Sequence, residues 1–456
     1  MNVKALEIRI GALRVGVLFQ YAQEGAPVVN RFVADPVFIE TREPPLVSLA
    51  YLAATPQEQP LLWRDYRSAR FNGQLSKDGR SWLLPAFFQN LLPEGVFRDQ
   101  IAKLRHCEKD DHFELLAACG KDLPGNVYAL PTQMSREELG HYVTQDADAL
   151  EMTVTADPLE EGVSLSGVQP KLGVIKDGDR YVGRTKDQDT HIIAKLPVVA
   201  YPLLPEVEDL SLRLAAAAGV RVCDAYLEPL GRLAAQHHYD LGEPDKKTNF
   251  LAVVRYDRQP GARTHCEDFA QILGVMPEDK YSLDYSYLDI GATFLAYPSL
   301  GEAAVHELLR RIVVNEMLGN PDMHLKNVGL WYPDGKTPEL PPAYDIVAHI
   351  VYTPLQGHGL RILPADYAAQ LPKKDQAATP PRKLAMSPAV LRKFCDALGI
   401  AEKPAATAVA NCVKQAYETW PALIDASLLT LMQKEKLASH FRAHPLVAGL
   451  FRRRYS

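Results

Sequence analysis

The sequence predicts an α+β fold, with a β-rich N-terminal domain, a mixed middle segment and a helical C-terminal half. Three observations carry this. Leu6 to Ile10 and Val15 to Tyr21 alternate around Gly11-Ala12, the pattern of an opening hairpin. In the middle, Leu172 to Ile175, His191 to Leu196 and Asn249 to Arg258 read as strands around one helical stretch. That stretch, Glu206 to Gly219, has Val207, Leu210, Leu214 and Ala218 at helical spacing and Gly219 as a stop. From Ala303 to Leu318, Val305, Leu308, Leu309, Ile312, Val313 and Leu318 repeat the helical period, and Leu391, Phe394, Leu398, Ala408, Cys412 and Tyr417 continue it.

Within the first part, further strands are expected near Arg31 to Phe38, Val47 to Leu52 and Asn126 to Leu130. The texture becomes helical from Phe87. Leu91-Leu92-Pro93-Glu94-Gly95 reads as a junction between helices, and Gly120-Lys121-Asp122-Leu123-Pro124-Gly125 as a turn that ends the helix His112 to Ala118. No group of residues here has the pattern of a catalytic constellation. Met134 to Pro158, acidic and poor in apolar periodicity after Tyr142, reads as a connector between domains.

At 456 residues the chain is long enough for about two or three domains and a substantial core. A net charge of −6 argues against strong independent binding to nucleic acid or to an acidic membrane. Cys107, Cys119, Cys223, Cys266, Cys395 and Cys412 lie far apart without a CxxC pair, so reduced thiols and a cytoplasmic location are expected. No apolar run approaches the ~18 residues of a membrane span, and no signal segment opens the chain.

The chemistry concentrates in Asn320-Pro321-Asp322-Met323-His324-Leu325-Lys326-Asn327, which follows the helical stretch after Gly319 and is answered downstream by Tyr344-Asp345. Asp322 and Asn327 have the D-x-x-x-x-N spacing of a protein-kinase catalytic loop, and Asp345 could serve as its second carboxylate. One Asp orients the proton of an attacking hydroxyl, while an Asn carbonyl and a further carboxylate hold hard Mg²⁺ by oxygen. A capped loop with solvated charges would show the same spacing, so upstream residues decide. Ser164-Leu165-Ser166-Gly167-Val168-Gln169-Pro170-Lys171 offers small residues and a lysine to a phosphate, although it is no GxGxxG and in isolation reads first as a plain loop. His191-Ile192-Ile193-Ala194-Lys195-Leu196 resembles the V-A-I-K strand, and Glu208 on the following helix could pair with Lys195. Val254-Arg255-Tyr256 then falls where a kinase has the hinge between its lobes.

In this order, Ser-Leu-Ser-Gly-Val-Gln-Pro-Lys, His-Ile-Ile-Ala-Lys-Leu-Pro, Arg-Tyr-Asp-Arg, His265-Cys266-Glu267-Asp268-Phe269, Asn-Pro-Asp-Met-His-Leu-Lys-Asn and Tyr-Asp-Ile resemble the motifs of the HipA serine/threonine kinases, toxins of bacterial toxin–antitoxin pairs. The Leu-Leu-Pro-Glu-Gly and Gly-Lys-Asp-Leu-Pro-Gly segments resemble that family's N-terminal domain. The resemblance implies an N-terminal domain over 1–158, a small kinase lobe over 159–256 and a helical large lobe over 257–456. It implies Asp322 as catalytic base, with Asn327 and Asp345 on Mg²⁺ and Lys195 on the phosphates of ATP. The loop Ser166, Gly167, Val168, Gln169, Pro170 and Lys171 would cover ATP, with Val254, Arg255 and Tyr256 at adenine. His324, Lys326 and Tyr344 would complete the site. Ser164, three residues before the loop glycine, is the implied autophosphorylation site, with Ser166 as a second candidate. A phosphate on Ser164 would repel ATP and silence the enzyme. Pro170 stands where the family often has a charged residue, a change that stiffens the loop without removing a catalytic group.

The implied partners are an HTH antitoxin (HipB-like), operator DNA bound mainly through it, and a protein substrate, with glutamate–tRNA ligase the first candidate. Two alternatives remain at this point: a catalytically silent co-repressor scaffold, and a small-molecule kinase that shares the fold. His237-His238 and His265-Cys266 lack tetrahedral ligand spacing, and no G-x-S-x-G occurs, so zinc and serine-hydrolase chemistry are not expected. Lys373-Lys374, Arg382-Lys383 and Arg452 to Arg454 read as solvated charges.

Overall fold

A computed structural model describes residues 2–22, 28–142, 151–159, 162–165, 167, 169–185, 188–237, 239–259, 261–353, 357–372 and 384–454. Ser166, Val168, His238, Lys373, Lys374, Arg382 and Lys383 lie outside the described residues. Strands β1 (Asn2–Ile10) and β2 (Leu13–Ala22) form the opening hairpin, with Gly11 at φ +59° making the left-handed turn that a side chain would resist. β3 (Val29–Ala34) and β4 (Val127–Pro131) extend the sheet to the order β3-β2-β1-β4, and β5 (Glu151–Met152) pairs parallel with β1.

Two sequence expectations are corrected here. The strand expected from Arg31 to Phe38 stops at Ala34, because the Asp35 carboxylate accepts from Val37 N at 2.9 Å and caps the helix Pro36–Glu40. The expected strand Val47 to Leu52 is a 3₁₀ turn, Leu49–Tyr51. Ser48 caps it locally, and the distant Glu267 carboxylate accepts from Ser48 Oγ at 2.6 Å and Leu49 N at 3.0 Å. The segment read as a connector opens with the helix Arg136–Tyr142, whose Leu139 is buried and whose Tyr142 ring lies 5.8 Å from Phe19.

The second sheet is antiparallel in the order β7-β6-β8-β10-β9: β6 (Lys171–Asp177), β7 (Arg180–Val182), β8 (Ile192–Lys195), β9 (Ala225–Pro229) and β10 (Asn249–Val254). The helix Leu204–Ala217 packs against it with Val207, Leu210 and Leu214 buried. Beyond it lies the helical half, including Tyr287–Leu295, Gly301–Leu318, Pro388–Leu398, Glu402–Asp425 and Leu431–Ala443. The period expected for Ala303 to Leu318 is the buried face of its helix, which Gly319 ends at φ +61°. Trp420 Nε1 donates to Leu214 O at 2.8 Å and ties the two helical layers together.

Candidate active site

The register of the second sheet sets the site. Lys171 on β6 stands directly opposite Lys195 on β8, so two ammonium groups share one face. Like charges so placed repel, and the arrangement holds only because acids meet them. Lys195 Nζ donates to Glu208 Oε1, on the helix Leu204–Ala217, and to Asp345 Oδ1 at 2.5 Å. Burial opposes the charge on Lys195, yet Asp345 and Glu208 outweigh it and hold the proton more firmly than usual. Burial likewise opposes charge on Asp345, but Lys195 and Lys171 hold its carboxyl well below the usual range. Lys171 has less compensation: burial brings its ammonium down to about 8. Gly167, at φ +92°, lies so close that a Cβ there would sit 2.6 Å from Lys171 Nζ. The lysine tip could move aside, so the left-handed backbone is what favours glycine there.

Lys171, Lys195 and Asp345 line a cleft together with Ser164, Val254, Arg255, Tyr256, Asn327 and Tyr344. Val254 N donates to Asp224 O at 2.8 Å and Arg255 N to His191 O at 3.0 Å, which fixes the strand exit. Tyr256 and Tyr344 stack with centroids 5.8 Å apart, while the Arg255 guanidinium is engaged by buried acids. It bonds Asp122 at 3.0 Å and Asp257 at 2.9 Å, and Arg258 joins the same two acids at 2.9 and 2.6 Å. Asp122 belongs to the Gly120 to Gly125 turn, so this buried cluster welds the N-terminal region to the strand exit. Gly167, Gln169 and Pro170 do not line the cleft; Gln169 Nε2 reaches Leu196 O at 3.5 Å, and Pro170 O accepts from Leu196 N at 2.9 Å.

The octet after Gly319 is held by its own polar groups. Asn320 Oδ1 accepts from Asp322 N at 3.1 Å, and Asn327 Nδ2 donates to Asp322 O at 2.7 Å. That second bond commits the Asn327 amide nitrogen and leaves its oxygen for a cation. Asp345 adopts φ +59°, a left-handed conformation costly for a side-chain residue and characteristic of functional turns. His324 is buried, which brings its imidazole down to about 4 and keeps it neutral; its Nδ1 accepts from Lys326 N at 3.2 Å. Asp322 and His324 lie outside the cleft lining, on the side of Tyr281, whose hydroxyl donates to Asp322 Oδ1. Lys326 lines the cleft with its stem, but its ammonium is wholly buried toward the N-terminal region. It donates to Asn90 O at 2.9 Å and meets Glu94 at 3.2 Å.

Asn90, Glu94, Asp122 and Tyr281 were invisible as site residues in the sequence. Glu94 carried one signal, an acid between apolar Leu92-Pro93 and a helix start at Gly95, read there as a junction alone. Tyr281 carried none, since its role depends on two segments meeting in space. Ser164 is buried, and its hydroxyl donates to Leu91 O.

Among the described residues no cluster of three or more His, Cys, Asp or Glu could hold a metal ion alone. Asn327 and Asp345 supply hard oxygen donors of the kind Mg²⁺ takes when phosphates complete its shell, so the residues fit that ion and a nucleotide triphosphate. No helix among the described residues is long and apolar enough to cross a membrane.

The family model of the HipA-like C-terminal domain matches residues 163–420, and that of the HipA N-terminal domain matches residues 6–130. The Sinorhizobium fredii protein Y4dM, which carries a provisional kinase name, is 35% identical over 273 residues, 59% of this chain and 63% of that protein. The serine/threonine-protein kinase toxin HipA of Shewanella oneidensis is 27% identical over 305 residues, 61% of this chain and 66% of that one. Alignments with these curated relatives thus span less than two thirds of the relatives' own length. A solved Shewanella oneidensis complex of HipA, HipB and operator DNA contains a chain that superposes with TM-score 0.65 at 20% identity, covering 98% of this chain and 97% of that one. The fold is therefore an N-terminal β domain joined to a two-lobed kinase-like domain. With both family models matched in order across most of its length, the chain belongs to the HipA-like family.

Proposed function

We propose that this protein is an ATP- and Mg²⁺-dependent serine/threonine-protein kinase, the toxin of a HipBA-like toxin–antitoxin pair. One observation carries the reading: Lys195 lies between Glu208 and Asp345 at the cleft that Lys171 and Asn327 also line, with Asp322 bonded to Asn327. A structural ion-pair network would not need two lysines on one sheet face. ATP supplies the γ-phosphoryl group, and Mg²⁺ offsets charge where it transfers. Lys195 and Lys171 hold the phosphates, Asn327 and Asp345 hold the ion, and the Tyr256–Tyr344 side receives adenine. Asp322 takes the proton of the acceptor hydroxyl as the hydroxyl oxygen bonds the γ-phosphorus and the bond from that phosphorus to the β–γ bridging oxygen breaks, releasing ADP. The proposed units are 1–158, 159–256 and 257–456. The acceptor is a protein serine, with glutamate–tRNA ligase the first candidate, and the net charge of −6 favours operator binding through a basic HTH partner.

Ser164 is the proposed site of self-inactivation. It lines the same cleft as Lys171 and Asp345, and a phosphate there would add about −1.5 to −2 charge beside both. Its hydroxyl is buried on Leu91 O, so the segment must leave that seat before it can reach Asp322. Mass spectrometry of protein incubated with ATP and Mg²⁺ tests this. Phosphate on Ser164, absent from Asp322→Asn, is expected; phosphate on neither Ser164 nor Ser166 would refute it.

A further inference from the structure

We infer that Tyr281 and Glu94 are positioning residues for the base Asp322, so that the N-terminal domain helps set the geometry of phosphoryl transfer. The inference rests on the kinase reading above and assigns a role to two residues outside the motifs that suggested it.

The Tyr281 hydroxyl donates to Asp322 Oδ1, and no other described group donates to that carboxylate. A carboxylate held at one oxygen loses rotational freedom and presents the other oxygen in a fixed direction, toward an acceptor hydroxyl. Burial and the neighbouring Asp322 charge both raise the Tyr281 phenol above its ordinary value, so it remains a donor throughout the working pH range.

A tyrosine on a catalytic carboxylate could instead be a gate that substrate must displace. A gate needs a free arm, and this one is pinned. The Tyr281 ring meets buried His324 edge to face with centroids 4.8 Å apart. The preceding carbonyl, Lys280 O, accepts from Leu325 N at 3.3 Å. Lys280 Nζ binds Glu94 Oε2 at 3.0 Å, while Glu94 Oε1 meets Lys326 Nζ at 3.2 Å. One carboxylate from the N-terminal domain therefore grips both the residue before Tyr281 and a residue of the loop that carries Asp322. Burial opposes its charge, but Lys326 and Lys280 prevail and bring Glu94 down to about 2, so the grip persists at any working pH. Asn90 adds a third hold through its carbonyl on Lys326 at 2.9 Å.

The test uses the full chain, labelled ATP and Mg²⁺. Tyr281→Phe removes one hydroxyl and is expected to lower kcat about ten- to a hundredfold, the size of a hydrogen bond to a charged group, with KM for ATP unchanged. Glu94→Gln should lower kcat in the same direction. A second readout needs no turnover. In protein labelled with ¹³Cζ-tyrosine, the resonance missing from Tyr281→Phe identifies Tyr281, and its ionisation should move to lower pH in Asp322→Asn. An unchanged or raised kcat in Tyr281→Phe, with an active parent, would overturn this inference alone. So would a Tyr281 titration indifferent to Asp322→Asn. No transfer by the parent would overturn the proposed function and this inference with it.

Discussion

Lys171 shows how a single residue couples chemistry to pH. Burial outweighs the nearby acids and brings its ammonium down to about 8, while a bound phosphate would restore the charge. The bound form thus has the higher pKa. If the cleft takes ATP, its affinity should be fully present below about 8 and fall as pH rises through that value toward the bound pKa. Titration calorimetry at pH 8.5 in two buffers of different ionisation enthalpy should show proton uptake on ATP binding, and Lys171→Met should abolish it. Equal heats in the two buffers for the parent would contradict this. Among the residues, Asp322, Asn327, Lys195, Glu208 and Asp345 were legible because each sits at a fixed spacing within a short motif. Tyr281 and Glu94 were not, because nothing local distinguishes a tyrosine in a loop or an acid at a helix start from a solvated one.

At the scale of elements, the turn Gly120 to Gly125 does more than end a helix. Asp122 is fully buried and accepts from Arg255, Arg258 and Thr190, bringing β8, the exit of β10 and the N-terminal sheet to one point. Removing one partner of a buried ionic cluster strands the others without water. Asp122→Ala should therefore cost about 3 to 5 kcal/mol of stability, visible as an earlier denaturant midpoint in circular dichroism. A loss within about 0.5 kcal/mol, the size of an ordinary surface change, would show that the cluster is not structural. Strand and helix periods were read correctly where one face is buried continuously, as in Gly301–Leu318. They failed at Val47 to Leu52, where an apolar run is folded into a 3₁₀ turn by Glu267, more than two hundred positions away. No local pattern encodes such a partner.

Across the whole molecule, the cleft is built by three regions rather than two lobes. The antiparallel sheet brings the lysines, the helical half brings Asn327 and Asp345 with Asp322 beside them, and the N-terminal domain lines one side with Asn90, while Leu91 and Glu94 hold Ser164 and Lys326. The order of motifs made the first two contributions legible. The third arises only from docking of one folded surface on another. Whether this assembly transfers phosphate is read from the rates of the parent, Asp322→Asn and Asp345→Asn with γ-labelled ATP and Mg²⁺. The parent should label protein serine. Both variants should keep the fold by circular dichroism and lose nearly all transfer, Asp322→Asn through the lost base and Asp345→Asn through the weakened metal site. Transfer by both folded variants at the parent's rate would contradict the assignment of catalysis to this cleft.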